Sequence, residues 1–447
     1  MPLIDNITIK LSCQQYESTA YELREDKSVI RFESTGKGSD AVCPYCKRAH
    51  CHIQSRQETR LKDMPVWFGT KQEADVAYHR YICLDCKRTF MEDIPFKYSE
   101  ARITTRAARW CHELLSLAMS VLAVSLITGI SQETVKKINS DRMEAELLER
   151  ARELRARGYK PTYLAVDEFA IHKGHRYATC VMDLEEGDII WAGMGRSMDA
   201  FSKFFDDMDL DYLSNVKAVA MDMNASYSKL ISKHLPWAEI VYDRYHMQAQ
   251  FGKEVLGAVR LEEARRHQKK SKELSKEAET CEDRDEAKRL KDEARKESSK
   301  YSSLKASRWI LLANGENATP ERSEKLGRIL EEHSSISLCY AMKEEMADLF
   351  SITDAEESRT RWANWFEGAK ASGIPQLVRF ALLKEARLEG LVAHASHCIS
   401  TGKLEGFNNK IKVAKRNGYG YRDECYFFTL IRFLSIHRPK KSSHKNP

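Results

Sequence analysis

The sequence predicts a multidomain α/β protein, and three observations carry that expectation. At 447 residues the chain exceeds the roughly 100–200 residues of one typical domain. Short apolar runs with strand character cluster between Tyr163 and Asp243, several of them ending in an acid. Before and after that block the apolar residues recur at helical spacing, most continuously over 253–395. Hydrophobic residues at 42% are enough for a substantial core, and only 20 Gly and 10 Pro argue against long flexible linkers. No apolar run reaches the ~18 residues of a membrane span, and MPLIDNITIK lacks the apolar core of an export signal. The expected location is therefore the cytoplasm. The net charge of +6, from 72 basic and 66 acidic side chains, is too mild to establish a nucleic-acid partner by itself.

Twelve cysteines in such a chain are expected to be reduced, and eight of them, Cys13, Cys51, Cys111, Cys180, Cys281, Cys339, Cys398 and Cys425, are scattered and read as small buried hydrophobes. The other four form two C-x-x-C pairs, Cys43 with Cys46 and Cys83 with Cys86. Each pair can place two thiolates on one tight turn, as tetrahedral zinc requires. The alternating stretch Val76–Ile82 supplies strand character for an enlarged zinc-ribbon-like module. A redox C-x-x-C, or replacement of one ligand by His50, Cys51 or His52, stays open. Residues 40–110 carry 13 basic and 9 acidic side chains, which suits contact with phosphates.

A helix is expected from Ile103, with Ala107, Cys111, Leu114 and Leu115 on one face. Ser120–Thr128 follows as a short helix ended by Gly129, and Ser131 caps a second, with Val135 and Ile138 facing inward. This is a helix-turn-helix pattern, or equally an ordinary helical hairpin. In the first case Gln132, Thr134, Lys136 and Lys137 face a DNA major groove. A separate charged helix is expected at Met143–Arg157.

Strands are then expected at 163–170, 175–183, 188–195, 216–223 and 239–243, with a helix at 199–208 after the third and another, capped by Asn224, after the fourth. The order βββαβαβ, with Asp167 and Asp222 at the ends of the first and fourth strands, is that of a ribonuclease-H-like core. Taken singly each acid reads as well as a helix cap. Together on neighbouring strands they form a hard-oxygen site for Mg²⁺ or Mn²⁺. A third acid stands far downstream. On a helix, Glu405, Asn408, Asn409 and Lys412 share one face, and Lys415 and Arg416 follow as phosphate contacts. Asp243 and His246 lie beside the expected metal pocket, either as supports and a helix start or as auxiliaries to catalysis.

These residues carry a resemblance to a known family. Ala165-Val-Asp167-Glu, Ala220-Met-Asp222-Met, Asp243-Arg-Tyr-His246 and Leu404-Glu405-Gly-Phe-Asn408-Asn409-Lys-Ile-Lys412, continuing to Tyr421-Arg422, resemble the ISL3-family (IS204/IS1001/IS1096/IS1165-type) transposases over almost the full length. The resemblance implies that Asp167, Asp222 and Glu405 are the metal-binding acids of a DDE core interrupted by a helical insertion. It implies double-stranded DNA as partner, in the form of transposon end repeats and target DNA, with Arg422 among the DNA contacts and a homodimer in the synaptic complex. Family members often show Ser/Thr-Asn shortly before the glutamate, whereas Ser400-Thr401 stand here.

The expected organisation is a zinc-binding domain at 1–98, a helix-turn-helix domain at 99–158, a core made of 159–252 and 396–438, an insertion at 253–395 and a basic tail at 439–447. Within the insertion, Trp362, Trp365 and Phe366 recur at i, i+3 and i+4 and read as core, with base stacking as the sharper alternative. The expected activity is Mg²⁺-dependent cleavage and strand transfer at the ends of an insertion sequence. The rival is a catalytically inactive, domesticated DNA-binding regulator.

Overall fold

The computed structural model describes residues 15–23, 26–65, 71–117, 119–172, 176–312, 319–418 and 421–436. The expected tail at 439–447, Cys13 and His175 lie outside them. The chain divides into two compact units, Met1–Glu153 with Val413–Phe433, and Leu154–Lys412 with Leu434–Pro447. The sequence boundaries run differently, because 413–433 groups with the N-terminal unit and the insertion with the core.

The first unit opens with a sheet of β1 (Tyr16–Leu23), β2 (Lys27–Ser34), β3 (Cys51–Asp63), β4 (Lys71–Cys83) and β5 (Thr89–Met91). Its order is β1-β2-β4-β3, with β5 also paired to β4. Ile30, Phe32, Leu61, Ala74 and Val76 turn to one side and bury against Tyr16, Ile94 and Phe96. Three helices follow, α1 (Thr105–Ser116), α2 (Val121–Thr128) and α3 (Gln132–Ala156). Thr104 and Ser120 cap α1 and α2, and Gly129 ends α2 in the left-handed conformation at φ 66°. Ala107, Cys111, Val124, Val135 and Ile138 form their shared core. The two helices expected over 131–157 are one 25-residue helix. No Gly or Pro stands within α3 to interrupt it. The last helix of the chain, here α17 (Glu424–Ile436), brings Tyr426 and Phe433 onto Met143 of α3.

The second unit is built on β6 (Tyr163–His172), β7 (Arg176–Asp183), β8 (Ile189–Met194), β9 (Ala218–Met221) and β10 (Glu239–Tyr242), in the order β10-β9-β6-β7-β8. The three strands β10, β9 and β6 are mutually parallel, and β7 and β8 continue antiparallel. Being covered on both faces, β9 is wholly apolar and every one of its residues is buried. Helices α4 (Met198–Asp207) and α5 (Leu210–Leu213) precede β9, and α6 (Ala225–His234), capped by Asn224, crosses from β9 to β10. After α7 (Arg244–Phe251) and a π-helical turn at Gly252–Leu256 come α8 (Gly257–Thr280) and α9 (Arg284–Ala306), an antiparallel hairpin whose second arm Asp283 caps. The insertion continues through α10 (Arg308–Leu312), α11 (Pro320–Glu332), α12 (Ser334–Leu349), α13 (Ala355–Ala371), α14 (Pro375–Glu385) and α15 (Leu388–Ser396) before α16 (Gly402–Asn417).

One continuous core joins sheet and insertion, running from Val166, Phe201 and Met221 through Phe251 to Trp362, Trp365, Phe366 and Phe380. Trp362, Trp365 and Phe366 are fully enclosed, as the core reading expects, which leaves no face for a stacked base. Among the scattered cysteines, Cys51, Cys111, Cys180 and Cys339 are buried, but Cys398 and Cys425 are exposed and Cys281 is half-buried, against the expectation. Cys281 and Cys398 follow the ends of α8 and α15, and Cys425 lies in the first turn of α17. Among the described residues no helix is long and apolar enough to cross a membrane.

Candidate active site

Strand register brings the acids together. In the parallel pair β6 and β9, Val166 lies opposite Met221, so Asp167 and Asp222 follow side by side where that pairing stops; Asp222 is just past the end of β9, but Asp167, expected at a strand end, lies inside β6, which runs on to His172 beside β7. In the pair β10 and β9, Tyr242 lies opposite the same Met221, which puts Asp243 on the other flank of Asp222. A crevice at the carboxyl ends of parallel strands is where open α/β sheets place ligands. The fourth acid comes from α16, whose first turn carries Glu405.

His246 stands among these acids. Its Nε2 is 3.3 Å from Glu405 Oε1 and its Nδ1 is 3.7 Å from Asp222 Oδ2. Helix α7 holds it there through its cap: Asp243 Oδ1 accepts the N–H groups of Tyr245 at 2.8 Å and His246 at 3.2 Å. The other oxygen, Oδ2, accepts the N–H of Thr401 at 2.9 Å. Asp243, His246 and Glu405 thus lie within one ion's reach. Asp243 is only 3% exposed and both its oxygens accept backbone N–H groups, whereas Asp167, Asp222 and Glu405 are each partly exposed.

Asp167 is the most enclosed of the three. Burial pushes its carboxyl up to about 6, helped by the nearby Glu405 and Glu168 and opposed by the Glu168 N–H and by His246. Asn408 donates to Asp167 Oδ2 at 2.7 Å, while the buried Oδ1 of Asn408 has no partner. A buried unpaired oxygen, a raised carboxyl and two further acids around one crevice are a set of hard oxygen donors, and divalent cations fit it.

The polar stripe expected on α16 divides. Asn408 faces Asp167, whereas Asn409 and Lys412 are exposed and bond to each other at 3.2 Å. Arg416 and Arg422 are exposed, and Lys415 is half-buried. Three contributors escaped the sequence reading. Thr401 donates to Glu405 Oε1 at 3.2 Å, and its nearness to the glutamate was the available signal. Asn224 donates to Glu168 at 3.2 Å. Lys384 of α14, a buried cation whose ammonium bonds Gln250, lies near enough to Asp222 to feel its charge, and nothing in sequence spacing connects the two.

In the first unit the paired cysteines converge as expected. Cys43 Sγ is 3.6 Å from Cys86 Sγ, and Cys46 Sγ is 3.5 Å from Cys83 Sγ. The two turns are copies of one another: Lys47 N–H bonds Cys43 O and Lys87 N–H bonds Cys83 O, and both lysines take positive φ, at 62° and 59°. Left-handed backbone at a residue other than Gly costs roughly 1–2 kcal/mol, which the repeated thiol geometry offsets. The N–H groups of Cys86 and Asp85 lower the Cys83 thiol to about 6, the form a metal takes. His50 instead faces Asp85, and the buried Cys51 lies outside the four, so the cluster of Cys43, Cys46, Cys83 and Cys86 can hold zinc.

On the helices after it, Gln132 and Lys137 are exposed, Thr134 bonds Ser131, and Lys136 is held 2.7 Å from Asp423 with its ammonium over the Tyr426 ring. Asn139 donates to the Tyr426 hydroxyl at 2.6 Å.

An acid-lined crevice beside parallel strands, with a glutamate brought in from a distant helix, is an arrangement suited to an enzyme that works with a divalent cation. Comparison with known sequences narrows it. The ISL3-type DDE transposase family model, described as a transposase, matches residues 164–431. The chain is 33% identical over 391 residues, 88% of each chain, to the transposase for insertion sequence element IS1001 of Bordetella parapertussis. It is 26% identical over 294 residues, 63% of this chain and 62% of the relative, to the transposase for insertion sequence element IS1557 of Mycobacterium tuberculosis. The chain belongs to the ISL3 family of DDE transposases.

Proposed function

We propose that the protein cuts and joins DNA at the ends of an insertion sequence, using a ribonuclease-H-like core in which Asp167, Asp222 and Glu405 hold Mg²⁺ or Mn²⁺. The observation that carries the reading is the juxtaposition of Asp167 and Asp222 by parallel register, with Glu405 reaching the same His246. When bound, such a cation activates a water and neutralises charge at the leaving oxygen of a phosphodiester. The reaction is hydrolysis at the element end, followed by in-line attack of the freed 3′-hydroxyl on target DNA.

The chain's own residues prepare that site. Asn408 orients Asp167, Thr401 orients Glu405, and Asp243 fixes the start of α7 and with it His246. The imidazole of His246 stands between Asp222 and Glu405 and holds the two acids to either side of one ring. The first unit is the DNA-reading part, with a zinc-bound four-cysteine module and a helix-turn-helix formed by α2 and the start of α3, where Gln132, Thr134 and Lys137 face the groove. Lys415, Arg416 and Arg422 contact phosphates, and a homodimer pairs two ends. Asp222→Asn and Glu405→Gln should bind end DNA as the wild type does and release no cleaved strand in Mg²⁺. Normal cleavage by Asp222→Asn would remove the assignment.

A further inference from the structure

A second cluster of metal-ligating side chains lies within the helical insertion, on residues that the DNA chemistry does not use. Glu263 and His267 stand one turn apart on one face of α8. His333, between the end of α11 and the start of α12, meets them: the His267 and His333 rings are 5.3 Å apart and nearly perpendicular. One ligand atom from each of Glu263, His267 and His333 lies within 4.8 Å of the others.

The surroundings of His267 are those of a metal ligand. Its Nδ1 is engaged by Glu297 Oε2 from α9, which leaves Nε2 free to point elsewhere. A carboxylate on one ring nitrogen and a metal on the other is the recurrent arrangement that fixes an imidazole's tautomer and orientation. Lys270 stays on the opposite oxygen of Glu297 at 3.4 Å and also pairs with Glu293. Glu297 is only 6% exposed and His333 only 8%, so the cluster is built into the helix junction. Glu263 Oε1 also lies 3.1 Å from Arg266 Nη1. A cavity of about 1260 Å³ is lined in part by Glu297 and His333.

We propose that Glu263, His267 and His333 bind a divalent first-row transition ion of the zinc type, with Glu297 as the positioning residue of His267. Two imidazoles and a carboxylate suit Zn²⁺, Co²⁺ or Ni²⁺ and leave a coordination position for water. The site clips the α8–α9 hairpin to the start of α12. That hairpin is rich in charge, and along its outer part only the small Ala278 and Ala294 are buried, so a metal link there replaces contact that side-chain packing does not supply.

Cobalt titration of the metal-free full-length protein in excess Mg²⁺ tests this. Two equivalents should bind: one with the intense near-ultraviolet band of thiolate ligands, from the four cysteines, and one with weak visible bands alone. The His267→Ala/His333→Ala double variant should lose only the second, while Asp222→Asn/Glu405→Gln keeps both. Glu297→Gln should keep the stoichiometry and weaken the second equivalent about 10- to 100-fold. A single, thiolate-bound equivalent in the wild type overturns the proposal. So does a second equivalent that survives the histidine changes or disappears with the Asp222 and Glu405 changes. If the double variant does not fold, the Glu297→Gln titration decides, and unchanged affinity there counts against the site.

Discussion

Asp167→Asn should make the metal-free protein more stable at neutral pH while destroying cleavage. In the native state burial holds the Asp167 carboxyl at about 6, against an ordinary value of 3.8. Between those values the native state binds more protons than the unfolded chain, so stability is lost as pH rises through the window and nothing is lost below it. Two pKa units correspond to about 3 kcal/mol by pH 7. Asparagine has the same shape and no charge, and the partnerless Oδ1 of Asn408 can accept from its amide. The expected gain is about 1–3 kcal/mol near pH 7 and close to zero near pH 3.5. Urea unfolding followed through the buried Trp362 and Trp365, without divalent ions, reads it. Mg²⁺ should reverse the order, since only the wild type gains stability from binding the ion. A variant less stable than wild type at neutral pH, with the same pH dependence, would refute the account of Asp167 as a carboxylate strained by desolvation.

Three further outcomes are expected. Asp243→Asn keeps an oxygen for the α7 cap but turns a donor toward Thr401 N–H, so it should cost about 1–3 kcal/mol in unfolding measurements and reduce cleavage without abolishing it; complete loss of cleavage at unchanged stability would make Asp243 a metal ligand instead. Cys83→Ser should release zinc and open the ends of β3 and β4 to proteolysis, with end-DNA binding lost and the second unit's unfolding transition unmoved. Asp423→Ala frees Lys136, so end-DNA binding should tighten and its salt dependence steepen by about one ion; an unchanged slope means that Lys136 does not reach phosphate.

Much of the site was legible because strand ends and spacing betray it. Asp167 and Asp222 each close an apolar run, although only Asp222 stands at a strand tip: β6 runs on past Asp167 to His172, because β7 continues to pair with it after β9 has ended. The paired cysteines were legible because a metal set needs short, repeated ligand spacing. Asn224 and Asp243 announced themselves as acceptors just before helices, and both cap as that position predicts. The continuity of α3 was harder to see: its apolar positions thin out after Ile138, and only the contact of Met143 with Tyr426 and Phe433 shows what that segment packs on.

By itself, the sequence determined which residues can bear charge, bind thiophilic metal or end a strand, since those are local properties of side chain and spacing. Register, which neighbour each acid meets and which oxygen remains open were decided only by tertiary structure. Asp243 and Asp222 have the same chemistry and stand at the same height on adjacent strands, yet backbone N–H groups from α7 and from Thr401 take both oxygens of one, while the other accepts a single backbone N–H and turns its second oxygen toward His246. His246 and His267 likewise differ by their surroundings, one set between two open acids and the other held by a buried carboxylate. Such differences arise from contacts between residues far apart in the chain, which folding brings together and local spacing cannot encode.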